Sequence, residues 1–252
     1  MLVRELRQRF RGARPFVVLT VMLIVVVGVG MESLLDVAGP LPAYGSRMDG
    51  GALVDTVSGV QRMMLWLLAP ALTATSVSGE IERRSWDLLL ATPLSGTQII
   101  AGKLGAAMAF VALLLFAGMP VMSIGFVLGG VSLPAVLALT LDALITGLFG
   151  AMLGLFFSIV TRNSTRALVA SFIALVVFGV FGSCGLSAMR MVGASIMGAA
   201  GAGSAWWVLP LTLLGNLLPL GITVLLFVMA ASNVRTGGGV APVPPASTGG
   251  SA

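Results

Sequence analysis

The chain has 252 residues, 58% hydrophobic and 9% charged, with a mean hydropathy of +1.07 and a formal net charge of +5. That composition excludes an ordinary water-soluble domain, and the continuous rather than alternating apolar runs exclude a transmembrane β-barrel; an all-α integral membrane protein remains. There is no His and one Cys, Cys184, which excludes an intrachain disulfide and a clustered His/Cys metal site and removes the commonest general acid–base side chain.

Six transmembrane helices are predicted, at about 15–32, 58–78, 99–124, 134–160, 166–187 and 206–231, each near the roughly 20 residues that a bilayer crossing requires. Residues 1–14 precede them as a basic arm. Val3, Leu6 and Phe10 form one narrow apolar stripe, while Arg4, Arg7, Arg9, Arg11 and Arg14 occupy the rest of the wheel. This is the pattern of an N-terminal interfacial helix lying on anionic lipid, or more simply of a positive-inside anchor. Gly12 and Pro15 end it. The first segment has the basic start of a signal peptide, but its apolar core is long and no small-x-small cleavage site follows, so it is read as a retained anchor.

The second segment is the least clean, because Arg62 lies near one end. After it comes "GEIERRSWDLLLATPLS", where Glu80, Glu82, Arg83, Arg84 and Asp87 crowd into a chain that is otherwise nearly free of charge. On a helical wheel Arg83, Asp87, Glu80 and Arg84 share an arc of roughly 100°, with apolar residues over most of the remainder and Glu82 as the exception on the apolar side. Glu80 and Arg84 are an i,i+4 pair in the favoured order. Pro93 disfavours helix at Thr92, and Ser95 with Gln98 makes an S-x-x-Q capping box that opens the next helix. Residues 79–92 therefore read as a short amphipathic helix running along the membrane surface, a structured docking element rather than a plain polar loop. Lys103, just inside the third segment, can snorkel back to the interface. The nearby "GTQIIAGKLG" is no phosphate-binding loop, since Gly96 and Gly102 are spaced wrongly and Leu104 stands where a hydroxyl is needed.

Asp142, about two turns into the fourth segment, is an intramembrane carboxylate and a functional candidate by default, facing a substrate path or a dimer interface, or serving structure alone. Arg190 is a candidate partner on the same side. "GAMLG" at 150–154 is a GxxxG match for close helix packing. Residues 184–205, too apolar for a solvated loop, are read as a re-entrant outer segment or interfacial helical pair. Asn216, between Gly215 and Pro219 in the sixth segment, is a weaker polar candidate. Residues 234–252 have linker composition and are read as a disordered tail after a single membrane domain of residues 1–233.

Most of the 14 basic residues lie before the first segment, between two and three, between four and five, or after six; only Arg47, Arg62 and Arg190 do not. With six crossings those regions share one side, so both termini are expected in the cytoplasm. The same distribution argues against nucleic acid as a partner.

The stretch 79–103, "GEIERRSWDLLLATPLSGTQIIAGK", resembles the signature region of ABC-2 type transporter permease subunits. The matching positions are Glu80, Glu82, Arg83, Asp87, Leu88, Leu89, Leu90, Thr92, Pro93, Leu94, Ser95, Gly102 and Lys103; Ile81, Arg84, Ser85 and Trp86 depart from the pattern. "LGLFFSIVTRNSTRALVASF" is similar to the end of that family's fourth helix and its short turn into the fifth. The resemblance implies that 79–92 is a cytoplasmic coupling helix between helices 2 and 3. Glu80, Glu82, Arg83, Arg84, Trp86 and Asp87 would then dock a separate ABC ATPase. It further implies two ATPase copies, a second permease subunit as homodimer or heterodimer, and export across a prokaryotic plasma membrane. ATP and Mg would sit on the partner ATPase, with no cofactor, metal or catalytic residue on this chain. The alternatives are a non-transporting membrane scaffold that recruits a cytoplasmic protein, and an ion-coupled transporter using Asp142.

Overall fold

The computed structural model describes residues 13–38, 50–82, 95–128, 131–179, 210 and 214–236. Regular structure among them is helical throughout: α1 (Ala13–Ala38), α2 (Gly50–Ala74), α3 (Ser78–Glu82), α4 (Gly96–Leu128), α5 (Leu133–Thr161), α6 (Ser164–Gly179) and α7 (Leu217–Thr236). Four described stretches are long and apolar enough to cross a membrane: Leu53–Glu82, Gly96–Leu128, Leu133–Thr161 and Leu217–Val234; Phe16–Glu32 and Ser164–Gly179 are shorter apolar helices. The expected 1–14 arm (but for its last two residues), the remainder of the 79–92 helix, the 184–205 segment and most of the tail lie outside the described residues.

α5 is the hub. It packs most extensively on α2, then on α7 and α4, while α1 lies against α2 and α4. Membrane helices gain little hydrophobic drive from meeting one another, so close backbone approach and dispersion must hold them. α5 supplies that approach through Gly147, Gly150, Ala151, Gly154 and Ser158, which recur at helical spacing and are buried. The space at Gly150 is taken by Pro70 and Ala69, and that at Gly154 by Thr73 and the Pro70 backbone. The "GAMLG" match thus marks the seam between α2 and α5. Val111 of α4 fills the space beside Gly147. Around the seam Leu65, Ala69, Phe110, Val111, Leu114, Ala143 and Ala151 form the main apolar core, joined by Met22 and Val26 of α1. A second cluster gathers Val77, Ile100, Met152, Leu155, Ile159, Ala230 and Val234.

Several boundaries differ from those the sequence predicts. α2 begins near Gly50 rather than 58, because Leu53, Val54 and Val57 bury against their neighbours in spite of the polar look of the stretch; Gly125 of α4 lies close to Leu53, Val54 and the Gly50 carbonyl. Arg62 is therefore well inside a helix. α1 begins at Ala13, so Arg14 belongs to it and Pro15 sits in its first turn, where a missing N–H is harmless. The sixth predicted segment is broken. Residues 214–215 are helical, Asn216 is a turn, and α7 follows. Pro219 has no N–H and its ring crowds the carbonyl four residues earlier. The helix restarts at Asn216, whose carbonyl accepts the Leu220 N–H at 3.1 Å. α7 then runs to Thr236, past the expected boundary at 233.

Two glycine substitutions separate packing from propensity. A Cβ at position 154 would run into Thr73 and lie 2.6 Å from the Pro70 carbonyl oxygen and 2.9 Å from its Cα, whereas at Gly221 of α7 nothing lies within 4 Å. Gly154→Ala is expected to destabilise the purified protein by about 1–3 kcal/mol, and Gly221→Ala to stabilise it by about 0.5–1 kcal/mol. Thermal unfolding in detergent reads both.

Candidate functional site

Two polar layers punctuate the apolar bundle. The first surrounds the exit of α2. The helix ends at Ala74, a turn follows, and α3 opens at Ser78. The new N–H groups at this turn need acceptors, and Val77 and Ser78 are buried away from water. Ser158 of α5 provides one: its Oγ accepts the N–H of Val77 at 3.1 Å and of Ser78 at 2.9 Å, and donates to Ser78 Oγ at 3.2 Å. That is the full capacity of a hydroxyl, two lone pairs and one proton. Ser78 Oγ donates to the Ala74 carbonyl at 3.0 Å.

The two carboxylates of α3 reach different helices. Glu80 forms an ion pair with Lys103 of α4 at 2.7 Å, and the Lys103 ammonium also donates to the Ser76 carbonyl at 3.2 Å. Lys103 is only 1% exposed. Burial of an ammonium demands an anion and further acceptors, and both are present. Lys103 does reach back toward the charged block, but it ends on protein rather than in water. Glu82 turns the other way. Its two oxygens accept the Ser164 N–H at 2.7 Å and the Ser164 hydroxyl at 2.9 Å. The odd placement of Glu82 on the wheel thus has a partner within the bundle, the start of α6.

The turn into α6 is built to receive it. Arg162 takes a left-handed conformation, φ 53°, and ends α5. Asn163 is then the N-cap, its Oδ1 accepting the N–H groups of Thr165 at 3.1 Å and Arg166 at 3.2 Å. With Ser164 held by Glu82 and the Ala167 N–H by the Asn163 carbonyl at 2.9 Å, the first turn of α6 has an acceptor for each of its donors. On the far side of the block, the expected capping box is present: Ser95 N–H donates to Gln98 Oε1 at 3.0 Å and Gln98 N–H to Ser95 Oγ at 3.3 Å.

The second layer joins the two intramembrane candidates. Asp142 of α5 accepts from Asn216 Nδ2 at 3.0 Å, at the break before α7, and pairs with Arg62 of α2 at 3.0 Å. The cation it meets is therefore Arg62; Arg190 lies outside the described residues. Asp142 is 6% exposed and Asn216 4%. The polar groups bind α2, α5 and the start of α7 together. Along α5, Asp142 and Ser158 are ~24 Å apart at 1.5 Å per residue. The two layers thus bracket the apolar core over most of the roughly 30 Å of a bilayer interior.

Sequence alone does not single out Arg62, Ser158, Ser164 or Gln61 as site residues. Arg62 carries a usable signal, since a cation inside a membrane helix calls for a partner; the serines carry none. Gln61 is 1% exposed, and neither of its amide atoms has a hydrogen-bond partner among the described residues. Its side chain fills the space left by Gly118 of α4. Among the described residues no group of three or more His, Cys, Asp or Glu could hold a metal. Arg83, Arg84, Trp86 and Asp87, and Arg4, Arg7, Arg9 and Arg11, lie outside the described residues.

Long apolar helices, polar groups gathered in two layers, and a short clamped helix between α2 and α4 define a polytopic helical membrane protein. The sequence matches the family model described as ABC-2 family transporter protein over residues 2–199, and the chain belongs to that family. The match takes in α1 to α6 and stops short of α7. Comparison with curated proteins gave no match. Membership makes the chain a membrane component of a transporter.

Breaking the second layer one side at a time should separate charge from packing. Asp142→Leu deprives Arg62 of this anion and is expected to destabilise toward the lower end of about 3–5 kcal/mol, because Arg62 is partly exposed; Arg62→Met combined with Asp142→Leu should recover most of the loss. Gln61→Met, which removes two buried amide atoms that have no partner among the described residues and keeps a similar volume, should raise stability by about 1–3 kcal/mol. Melting temperatures of the detergent-purified variants decide each case.

Proposed function

We propose that this chain is the permease subunit of an ATP-binding cassette exporter, with six membrane crossings and both termini in the cytoplasm of a prokaryotic cell. On this proposal the 79–92 stretch is the coupling helix, and a separate ATPase, carrying ATP and Mg, docks on it in two copies. A second permease subunit, identical or related, completes the translocation path. The chain itself performs no covalent chemistry. The basic 1–14 arm lies along the inner lipid surface.

One observation carries the proposal beyond family membership: the start of the charged block is clamped to the bundle at three places, by Ser158, by Lys103 and by Ser164. A solvated loop has no use for such anchoring. A docking helix that must turn the motion of a motor into motion of membrane helices needs it, since slack at the joint would absorb the stroke. The scaffold alternative needs affinity at the block but not rigidity behind it. The ion-coupled alternative needs an Asp142 that exchanges a proton or cation. The ion pair with Arg62 and the bond from Asn216 instead favour an architectural role for that carboxylate.

The described contacts occupy Glu80 and Glu82, which leaves Arg83, Arg84, Trp86 and Asp87 as the block's candidates for contact with a partner. Trp86→Ala is expected to weaken capture of the native ATPase by at least ~2 kcal/mol, roughly 30-fold, as loss of an interface anchor does. Asp87→Arg and the double reversal R83E/R84E should also weaken it, with membrane insertion intact. The measurement is co-purification of the co-expressed ATPase with tagged permease, set against permease yield. Undiminished recovery with all three variants would sink the docking role. Transport that survives a hydrolysis-dead ATPase but collapses with an ion gradient would favour Asp142-based coupling.

A further inference from the structure

A helix inserted between α2 and α4 is expected to move those two helices. We infer that Glu82 adds a third output: it is a positioning residue that ties the docking block to the start of α6, so that displacement of the block is delivered to the α5–α6 hairpin. The inference rests on the proposed docking of an ATPase at this block.

The geometry is specific. One Glu82 oxygen takes the backbone N–H of Ser164 and the other its hydroxyl, at 2.7 and 2.9 Å, so the contact fixes orientation as well as distance. The acceptor is an anion at the positive end of a helix, the favourable place for it. Ser78 Oγ stands 3.3 Å from Ser164 Oγ, and a Cβ at Gly79 would lie 3.9 Å from the same hydroxyl, so no layer of side chains intervenes between α3 and α6.

Beyond that joint α6 packs along one face. Ala167, Ser171 and Leu175 are buried. Phe178 meets Phe149 of α5 edge-on, with ring centroids 5.6 Å apart, and Gly179 receives Trp66 of α2. A pull at Ser164 therefore reaches the far end of α6, ~22 Å away at 1.5 Å per residue, where it bears on α2 and α5. The sharp turn at Arg162 keeps α5 in the same movement.

The test uses the full chain assembled with its ATPase, in a Cys184→Ser background. One pair of spin labels is placed at Val176 of α6 and Phe116 of α4, and a second at Met63 of α2 and Phe116; all three side chains are exposed. Distances are compared with and without a non-hydrolysable ATP analogue. In the parent protein both pairs should shift with nucleotide. In Glu82→Ala the Val176–Phe116 shift should be lost while the Met63–Phe116 shift persists. Glu82→Gln, which keeps hydrogen bonding without the charge, should restore it in part. Ser164→Ala keeps the backbone bond and should give a shift intermediate between that of Glu82→Ala and that of the parent; it also guards against misfolding of Glu82→Ala. An undiminished Val176–Phe116 shift in Glu82→Ala and Ser164→Ala, with the ATPase bound, overturns the inference alone. A parent complex in which neither pair responds to nucleotide, or which does not assemble, overturns the docking proposal and the inference with it.

Discussion

The bare face of α5 sets the terms for the rest of the bundle. Because Gly150 and Gly154 present no side chain, α2 can come close enough for Pro70 and Thr73 to rest against the α5 backbone. That close approach has consequences at both ends of the pair. Toward one end it brings the turn after α2 within reach of Ser158, so that a single hydroxyl can hold two N–H groups. Toward the other it lets Arg62 span to Asp142. A larger residue at the seam would spread the helices and leave the buried members of both polar layers, Ser158 and Asp142, short of their partners.

The polar layers differ in kind. The Asp142 layer is an ion pair with one amide, made between α2, α5 and the break before α7. It pairs its own polar groups with one another and sits at the helix interruption that Pro219 imposes. The Ser158 layer is a chain of contacts running through α4, α3, α5 and α6, and it fastens a short helix to the bundle. Its contacts are directional hydrogen bonds, and those made by Lys103, Glu80 and Glu82 are strengthened by charge. Gln61, one residue from Arg62 and facing α4, belongs to neither layer, and the described structure gives its amide no partner.

How much can be read from sequence follows from range. Apolar length yields the membrane class and most helices. Local rules yield the Ser95–Gln98 capping box, because it depends on residues within a few positions of one another, and the tight α5–α6 turn is legible through the resemblance of "LGLFFSIVTRNSTRALVASF" to the family. The family is legible in residues 79–103. Asp142 and Asn216 are legible as candidates, since polar groups at membrane depth stand out singly. Their union is not, because Arg62, Asp142 and Asn216 are brought together by packing alone. By sequence Arg62 falls near a helix end, whereas the helix in fact starts earlier, at Gly50. Ser158 and Ser164 are invisible for a plainer reason: a buried serine that accepts backbone N–H groups, as Ser158 does, has the same sequence signature as any small residue at a helix seam, and Ser164, which donates to Glu82, looks like any residue in the first turn of a helix.

The charged block changes meaning once its internal contacts are counted. By formal charge Glu80, Glu82, Arg83, Arg84 and Asp87 sum to −1, which taken together would suggest an acidic surface. Glu80 is offset by Lys103, and Glu82 is turned onto the N-terminus of α6. The charges not accounted for by these described contacts are two arginines and one aspartate, a balance of +1. The two glutamates hold the block to the membrane domain, so on the proposed function the part offered to a partner is basic, with Trp86 among it. On the proposed function, charge concentrates in these eight residues because two tasks meet there: Glu80 and Glu82 grip the bundle, and Arg83, Arg84, Trp86 and Asp87 are offered to a water-soluble partner.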